Sequence, residues 1–161
     1  MPFQQPTTKE QAFQKLQHFC GYQERSHNEV KEKLYSFKLR KAEVEELISR
    51  LIEDDYLNEQ RYAEQFAGGK FRIKQWGRVK IAYGLKQKKV SEYCIKKAMK
   101  VIDEKEYEKT AAKLFAAKLT TLKSETNHFT RKRKLQDYLL QKGYEFALVQ
   151  QLVRNQHPLE D

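Results

Sequence analysis

One apolar pattern occurs three times along this chain, and the copies are 51 and 54 residues apart. Each copy has five apolar positions with the same internal spacing. The copies are Val30, Leu34, Leu39, Val44 and Leu47; Ile81, Leu85, Val90, Ile95 and Ala98; and Leu135, Leu139, Tyr144, Val149 and Leu152. A period of about 50 residues is typical of proteins in which each unit buries its apolar face against its neighbours. The sequence therefore predicts a repeat array that is elongated rather than spherical.

The repeats are predicted to be helical. Only six glycines and three prolines occur, and the prolines (Pro2, Pro6 and Pro158) lie near the chain ends. Because proline and glycine are the residues least compatible with a helix interior, this distribution favours an all-α fold. The pattern predicts three helix-turn-helix-like repeats of three helices, at 9–21, 27–37 and 41–53; 58–72, 77–88 and 91–103; and 105–122, 129–142 and 145–155.

Capping residues mark several of the predicted helix ends. Ser26 and Glu29 have the spacing of a capping box, and Asn58 and Ser91 can cap the helices that follow them. Gly143 directly follows a helix that ends in lysine, which is typical of a helix C-terminus. The predicted divisions are an N-terminal tail at 1–8, repeats at 9–56, 57–104 and 105–157, and a C-terminal tail at 158–161.

Positive charge is concentrated in residues 65–100. This segment contains eleven lysines and arginines and one acidic residue, Glu92, so it carries as much net charge as the whole chain, +10. Phe71, Trp76 and Tyr83 lie among the lysines. Such a local basic stretch predicts a surface for a polyanion or an acidic partner. The alternative is a solvated lysine surface without a partner.

The candidate partner- or DNA-binding residues are the basic residues of this segment, its tryptophan, and a second basic run. They are Lys70, Arg72, Lys74, Trp76, Arg78, Lys80, Lys86, Lys88, Lys89, Arg131, Lys132, Arg133 and Lys134. Cations at the start of a helix oppose its dipole, so stability does not explain the run at 131–134. Trp76 is predicted either to contact a base or a partner pocket, or to pack beneath a helix N-terminus. Arg78 is expected to reach solvent, while Ile81 and Leu85 face inward.

The sequence indicates neither an enzyme nor a metal protein. Cys20 and Cys94 have no metal-binding spacing, so we expect buried free thiols in a reducing cytosol. Asp54 and Asp55 are a poor metal site without a third ligand, and capping of a helix terminus is their preferred role. Arg61 is predicted either to have a structural role, pairing with Asp54 or Asp55, or to contact a partner. The sequence contains no phosphate-binding loop and no nucleophile–base pair. It also lacks a long apolar run and a signal sequence, which predicts a cytoplasmic protein that does not span a membrane.

Three segments together resemble the RecX family of recombination regulators. The first is Asp54–Phe66, with its acidic turn, Arg61, Tyr62, Ala63 and Phe66. The second is Lys74–Ser91, which is similar to a Lys-Gly-x-Gly-x-x-x-Ile stretch followed by Leu-x-x-Lys-Gly-Ile. The third is the Ser-x-x-Glu-Val stretch at 26–30. Gln75 and Lys89 stand where the family usually has glycine, and Gly68-Gly69 also departs from its pattern.

The resemblance covers about residues 9–155 and implies a three-repeat helical crescent that binds the RecA filament. It implies a monomer without enzymatic activity or cofactor that modulates RecA's ATPase and strand exchange, most often by inhibition, in DNA recombination, repair and the SOS response. Contact with single- or double-stranded DNA is part of this expectation. Two alternatives remain: a helical-repeat module that acts directly on DNA, and a metal nuclease that depends on Asp54 and Asp55.

Overall fold

The computed structural model describes residues 6–156, and this part of the chain is helical without a strand. The α-helices are α1 Lys9–Tyr22, α2 His27–Ser36, α3 Lys41–Glu53, α4 Glu59–Gly69, α5 Arg78–Gln87, α6 Glu92–Met99, α7 Glu104–Thr121, α8 His128–Lys142 and α9 Phe146–Gln156, with a π-helix at Lys70–Lys74. The all-α prediction and the helix order are confirmed. The tail predicted at 158–161, and most of that at 1–8, lie outside the described residues.

Two predicted helices end earlier than expected. The helix predicted at 58–72 is α-helical only as far as Gly69 and continues as the π-helix. The helix predicted at 91–103 ends at Met99, since Val101 and Ile102 donate to carbonyls three residues back. Asp103 instead caps α7, because its side chain accepts from the Glu106 backbone N–H.

The chain is divided into two compact units. Unit 1 contains the described residues up to Gln65 together with Leu85–Lys97, and unit 2 contains Phe66–Gly84 together with the described residues from Ala98 onward. Helices α4, α5 and α6 therefore contribute residues to both units. The repeat boundaries derived from the sequence stay a prediction.

In unit 1 the core lies where α1, α2 and α3 pack on one another. It contains Ala12, Phe13, Leu16, Cys20, Val30, Leu34, Leu39, Val44, Leu47, Leu51 and Leu57. Burying each of the larger side chains contributes about 1.5–3 kcal/mol. Burial also raises the pKa of the Cys20 thiol to about 11, so this group stays protonated and unreactive near neutral pH. Cys20 and Cys94 are both buried and free, as predicted.

In unit 2, α8 packs on α7 and on α9. Two fully buried tyrosines lie in this core, Tyr107 of α7 and Tyr144 at the α8–α9 turn, with ring centroids 5.1 Å apart. Burial raises the pKa of Tyr144 to about 12, so its hydroxyl remains a hydrogen-bond donor. This hydroxyl donates to the Gln75 carbonyl at 2.9 Å and so ties the α8–α9 turn to the segment before α5.

The apolar positions of the sequence repeat form the interior. Every one of them is buried except Leu152, which is half-buried. The predicted caps also form: Ser26 and Glu29 make the capping box, Asn58 accepts from the Arg61 N–H, and Ser91 accepts from the Cys94 N–H. The repeat pattern therefore predicted both the core and several helix ends.

The repeats also share a left-handed residue after their second helix. Lys38, Lys89 and Gly143 occupy equivalent positions, with φ of 62°, 60° and 97°. Only glycine adopts this conformation without steric cost, so the two lysines are strained. The glycine that the family usually has at the position of Lys89 fits this backbone.

We expect Lys89→Gly to raise the free energy of unfolding by about 0.5–1 kcal/mol, because glycine relieves the left-handed strain. Urea denaturation followed by circular dichroism measures this change. Lys86→Gly is the matched control on the last turn of α5, and it should lower stability by a similar amount. If both variants were destabilised equally, the strain at Lys89 would be negligible.

Candidate partner interface

The candidate surface in unit 2 is built on an irregular stretch between α4 and α5. Gly68 and Gly69 precede the π-helix, and Gln75, which directly follows it, has a left-handed conformation with φ of 58°. The Trp76 N–H donates back to the Lys70 carbonyl at 3.2 Å and closes the stretch. Single π-turns and left-handed non-glycine residues occur frequently at functional sites. The glycine usual in the family at Gln75 also suits this conformation.

Trp76 lies half-buried at the centre of this stretch. Its ring packs edge-on against Phe66, with centroids 6.4 Å apart, and lies close to Gly84. The ammonium groups of Lys70 and Lys80 lie 4.9 Å and 4.7 Å from the ring centroid. Such cation–π contacts hold both lysines against the indole. Trp76 therefore packs within unit 2, and its contact with a partner stays a prediction.

Several other side chains of this stretch point into solvent. Arg72 and Lys74 are exposed, and Ile73 between them is 79% exposed. Within the described part of the chain, no carboxylate forms an ion pair with Lys70, Lys74 or Lys80. Three lysines of unit 2 thus have no ion-pair partner among the described residues, and Ile73 adds an exposed apolar side chain next to Lys74 in the sequence.

The expectation that Arg78 reaches solvent is wrong. Its side chain is only 23% exposed, and its guanidinium pairs with Glu145 at 3.0 Å and also with Glu104. It also lies over the Tyr107 ring, 3.9 Å from the centroid. Burial alone would lower the pKa of Arg78, but the hydrogen bonds to Glu104 and Glu145 outweigh it and raise that pKa. Through these two ion pairs Arg78 links α5 to α7 and to the α8–α9 turn.

Backbone contacts also hold the start of α5 against the end of α8 and the residue that follows it. The Gly77 N–H donates to the Lys142 carbonyl at 2.7 Å, and the Val79 N–H donates to the Gly143 carbonyl at 2.9 Å. A Cβ on Gly77 would lie 2.3 Å from the Gly143 carbonyl carbon, so only glycine fits. The Arg78 N–H donates to the Tyr107 hydroxyl at 3.0 Å, and that hydroxyl donates to Glu145. These contacts hold the preceding Trp76 in position.

Three predicted residues of the basic segment lie in unit 1. Lys86 and Lys89 are exposed. Lys88 forms an ion pair with Glu29, with 3.1 Å between Nζ and Oε1, so a partner would have to compete for it. The binding role of all three stays a prediction.

The basic run at 131–134 lies in the second turn of α8, not at its start. Helix α8 begins at His128, and Asn127 caps it by accepting from the Thr130 N–H. Lys134 pairs with Glu125 at 3.2 Å. The helix-dipole effect is concentrated in the first turn, so the predicted dipole conflict is smaller than the sequence suggested.

Side-chain exposure differs along this run. Arg131 contacts His128 at 3.2 Å, Lys132 is half-buried, and Arg133 is exposed. The run lies in unit 2, and its partner contact stays a prediction.

Arg61 organises the acidic turn of unit 1. Its guanidinium pairs with Glu24 and with Asp55, the latter at 3.1 Å, and donates to the Asp55 carbonyl at 3.0 Å. The hydrogen bond to Glu24 is the main cause of the raised pKa of Arg61. The predicted pairing with the turn is therefore confirmed.

Among the described residues, no group of three or more His, Cys, Asp or Glu is arranged to hold a metal ion.

Sequence reasoning missed Glu104, Tyr107 and Glu145, which hold Arg78. A charge pattern shows that a residue is basic but not whether an acid distant in sequence neutralises it. The available signal was Gly77, since a glycine at a helix start indicates close backbone approach.

No helix among the described residues has the length and apolar character needed to cross a membrane.

The fold and this surface define a class of protein: a helical-repeat protein of three-helix units with a basic, partly strained face. Family models of RecX match here, the second three-helix domain over residues 58–99 and the third over residues 105–153. The regulatory protein RecX of Chlorobium phaeobacteroides is 32% identical over 143 residues, which are 86% of this chain and 89% of that protein. The chain belongs to the RecX family.

Longer relatives and a solved structure agree with this assignment. The regulatory protein RecX of Oceanobacillus iheyensis is 26% identical over 158 residues, which cover 98% of this chain but 58% of that protein. That of Clostridium perfringens strain 13 is 32% identical over 81% of this chain and 61% of its own length. The chain thus spans about three fifths of these two relatives. The crystal structure of RecX from Lactobacillus salivarius superposes on this chain with a TM-score of 0.82 at 22% sequence identity. The superposition covers 91% of this chain and 95% of the Lactobacillus chain, so the two share the same helical fold.

Proposed function

We propose that this chain regulates the RecA recombinase by binding the RecA–DNA filament and inhibiting its ATPase and strand exchange. Family membership supports the regulatory role, since the relatives carry the name regulatory protein RecX. The observation that carries the proposal is the set of unneutralised lysines on unit 2, Lys70, Lys74 and Lys80. A filament of protein and DNA offers dense negative charge to such a surface.

The chemistry of the surface favours binding rather than catalysis. Its unpaired charges would steer a polyanionic partner from a distance and raise the association rate. Ile73, which is 79% exposed and next to Lys74 in the sequence, supplies an apolar contact of the kind that interfaces bury at their centre. The proposed activity therefore needs no cofactor, and the chain acts from the cytoplasm as a monomer on RecA.

The test is RecA's DNA-dependent ATPase rate, measured with increasing amounts of this protein. The wild-type chain should lower the rate, and raising the salt concentration should weaken the effect because counterions compete for the lysines. Replacing Lys70, Lys74 and Lys80 by glutamate should raise the half-inhibitory concentration by at least about tenfold, since charge reversal makes the contact repulsive.

The matched control reverses three exposed lysines of α7 in the same unit, Lys105, Lys109 and Lys113. That variant should change the half-inhibitory concentration by less than about twofold. Equal losses in the two triple variants would show that the surface around Trp76 is not the contact. An unchanged ATPase rate with the wild-type chain would contradict the proposed function itself.

A further inference from the structure

We propose that Val79 and Tyr83, the outer face of α5, form a docking surface for a protein partner that offers an apolar groove with an acidic rim. The inference rests on the proposed function in one respect, that this partner is the RecA subunit of the filament rather than its DNA. It names which component of the filament this helix contacts and through which of its side chains.

The other sides of α5 are covered within unit 2. Ile81 is fully buried. The Arg78 guanidinium lies over the Tyr107 ring, 3.9 Å from its centroid. On a further side, a Cβ on Gly84 would lie 3.7 Å from the Trp76 ring. The helix is thus packed on three sides, and one side remains open.

The open side carries apolar side chains. Val79 and Tyr83 are 56% and 63% exposed. Each lies two positions from the buried Ile81, which at 3.6 residues per turn is about 200° around the helix, so both point away from the core. They are four residues apart and therefore neighbours on one face. Because a solvated helix face normally carries polar residues, the fold of this chain does not explain the pair.

The backbone holds this pair in a fixed position. The Val79 N–H donates to the Gly143 carbonyl at 2.9 Å, and the Gly77 N–H donates to the Lys142 carbonyl at 2.7 Å. The first turn of α5 is therefore anchored while its outer side chains stay exposed. A helix that is already ordered loses little conformational freedom when it binds. Apolar residues one turn apart are also the anchors that a helix inserts into a hydrophobic groove.

The chemistry of the outer face favours a protein over a nucleic acid. Valine has no ring to stack on a base and no donor for a phosphate. Tyrosine is enriched at protein interfaces, because its ring buries apolar area while its hydroxyl reaches a polar partner. Lys80 lies three positions before Tyr83, hence beside it on the helix, and has no ion pair among the described residues. Charge complementarity therefore predicts an acidic residue at the rim of the partner's groove.

The experiment titrates the fluorescein-labelled chain with RecA in the absence of nucleic acid and follows fluorescence anisotropy. The outer-face variant, Val79→Gln with Tyr83→Gln, removes the apolar pair without changing charge and should weaken RecA binding by at least about tenfold. The matched control, Val101→Gln with Tyr22→Gln, replaces the same residue types at other exposed positions. It should change the affinity by less than about twofold. Equal losses in the two double variants would overturn the docking surface.

Two further measurements test whether the loss comes from an exposed apolar contact. The urea midpoint of the outer-face variant should not fall below that of the wild-type chain, because both side chains are exposed. A lower midpoint would show that the face packs within the fold and would overturn the inference. The ratio of the two RecA affinities should also stay the same at high salt, since salt screens charges and not apolar burial. A ratio that falls to one at high salt overturns the apolar contact.

Other occupants of the outer face give different results. If the wild-type chain dimerises in sedimentation equilibrium and the outer-face variant stays monomeric, the face binds a second copy of this chain. If the variant loses as much affinity for oligonucleotides as for RecA, the face binds nucleic acid. Either result overturns the inference.

The outcomes also separate this inference from the proposed function. RecA binding that depends on Val79 and Tyr83, in a chain that leaves the RecA ATPase unchanged, supports the docking surface and contradicts only the proposed inhibition. Inhibition of the filament ATPase that the outer-face variant retains in full contradicts only the docking surface. A wild-type chain that does not bind RecA without nucleic acid overturns the docking surface as well, whatever the ATPase result.

Discussion

Gly77→Ala should destabilise the chain by about 3 kcal/mol or more, among the largest effects expected of a single methyl group. The added Cβ would lie 2.3 Å from both the carbonyl carbon and the oxygen of Gly143, and 2.4 Å from the Tyr144 nitrogen. These are backbone atoms, so they cannot rotate away as a side chain does. The start of α5 would have to separate from the α8–α9 turn and lose two backbone hydrogen bonds. Urea denaturation measures the change.

Gly69→Ala is the matched control. A Cβ on Gly69 meets no atom within 4 Å, and this residue is the last of α4. Alanine should therefore be neutral or stabilise by up to about 1 kcal/mol, because glycine is the poorer helix former. If Gly77→Ala were as stable as Gly69→Ala, the close approach of Gly77 to Gly143 would be absent in solution.

Much of the fold could be predicted because the information is local or periodic. The spacing of Val30 and Leu34, repeated at Ile81 and Leu85, fixes which helix face is buried. Capping depends on residues three positions apart, as for Ser26 with Glu29, and such pairs are visible in a sequence. These features therefore required no knowledge of contacts distant along the chain.

The π-helix could not be predicted in the same way. Nothing in the sequence of residues 70–74 marks a change of hydrogen-bond register, yet the structure has a π-helix there, followed by the left-handed Gln75. The glycine that the family usually has at that position is compatible with a left-handed backbone, but it does not indicate that a π-turn precedes it. Tertiary contacts decide between such closely related helical forms.

The sequence also did not show which basic residues pair with acids inside the fold and which have no ion pair. Lys74, Arg78 and Lys88 look alike in a charge count, yet Lys74 has no ion pair among the described residues, whereas Lys88 pairs with Glu29. The acids that neutralise Arg78 come from α7 and from the α8–α9 turn, tens of residues away. Charge density therefore indicated a candidate surface but could not separate the cations that hold the fold from those available to a partner.

Arg78→Ala should consequently destabilise the chain by about 2 kcal/mol, more than an exposed ion pair contributes but less than a fully buried one. The substitution removes both ion pairs and the contact over Tyr107, and among the described residues it leaves the Glu145 carboxylate with the tyrosine hydroxyl alone. Lys74→Ala, at an exposed position in the same stretch, should cost less than about 0.5 kcal/mol. Urea denaturation of both variants measures the difference.

A double-mutant cycle assigns the effect to the proposed contact. If Arg78 acts through Glu145, then Glu145→Gln should cost much less in the Arg78→Ala background than in the wild-type chain, because the partner is already gone. Strictly additive losses would show that the two residues act independently. Equal stability of Arg78→Ala and Lys74→Ala would instead show that Arg78 is not needed for the fold. Its charge would then be as available as that of Lys74, and Arg78 would become a direct candidate for partner contact.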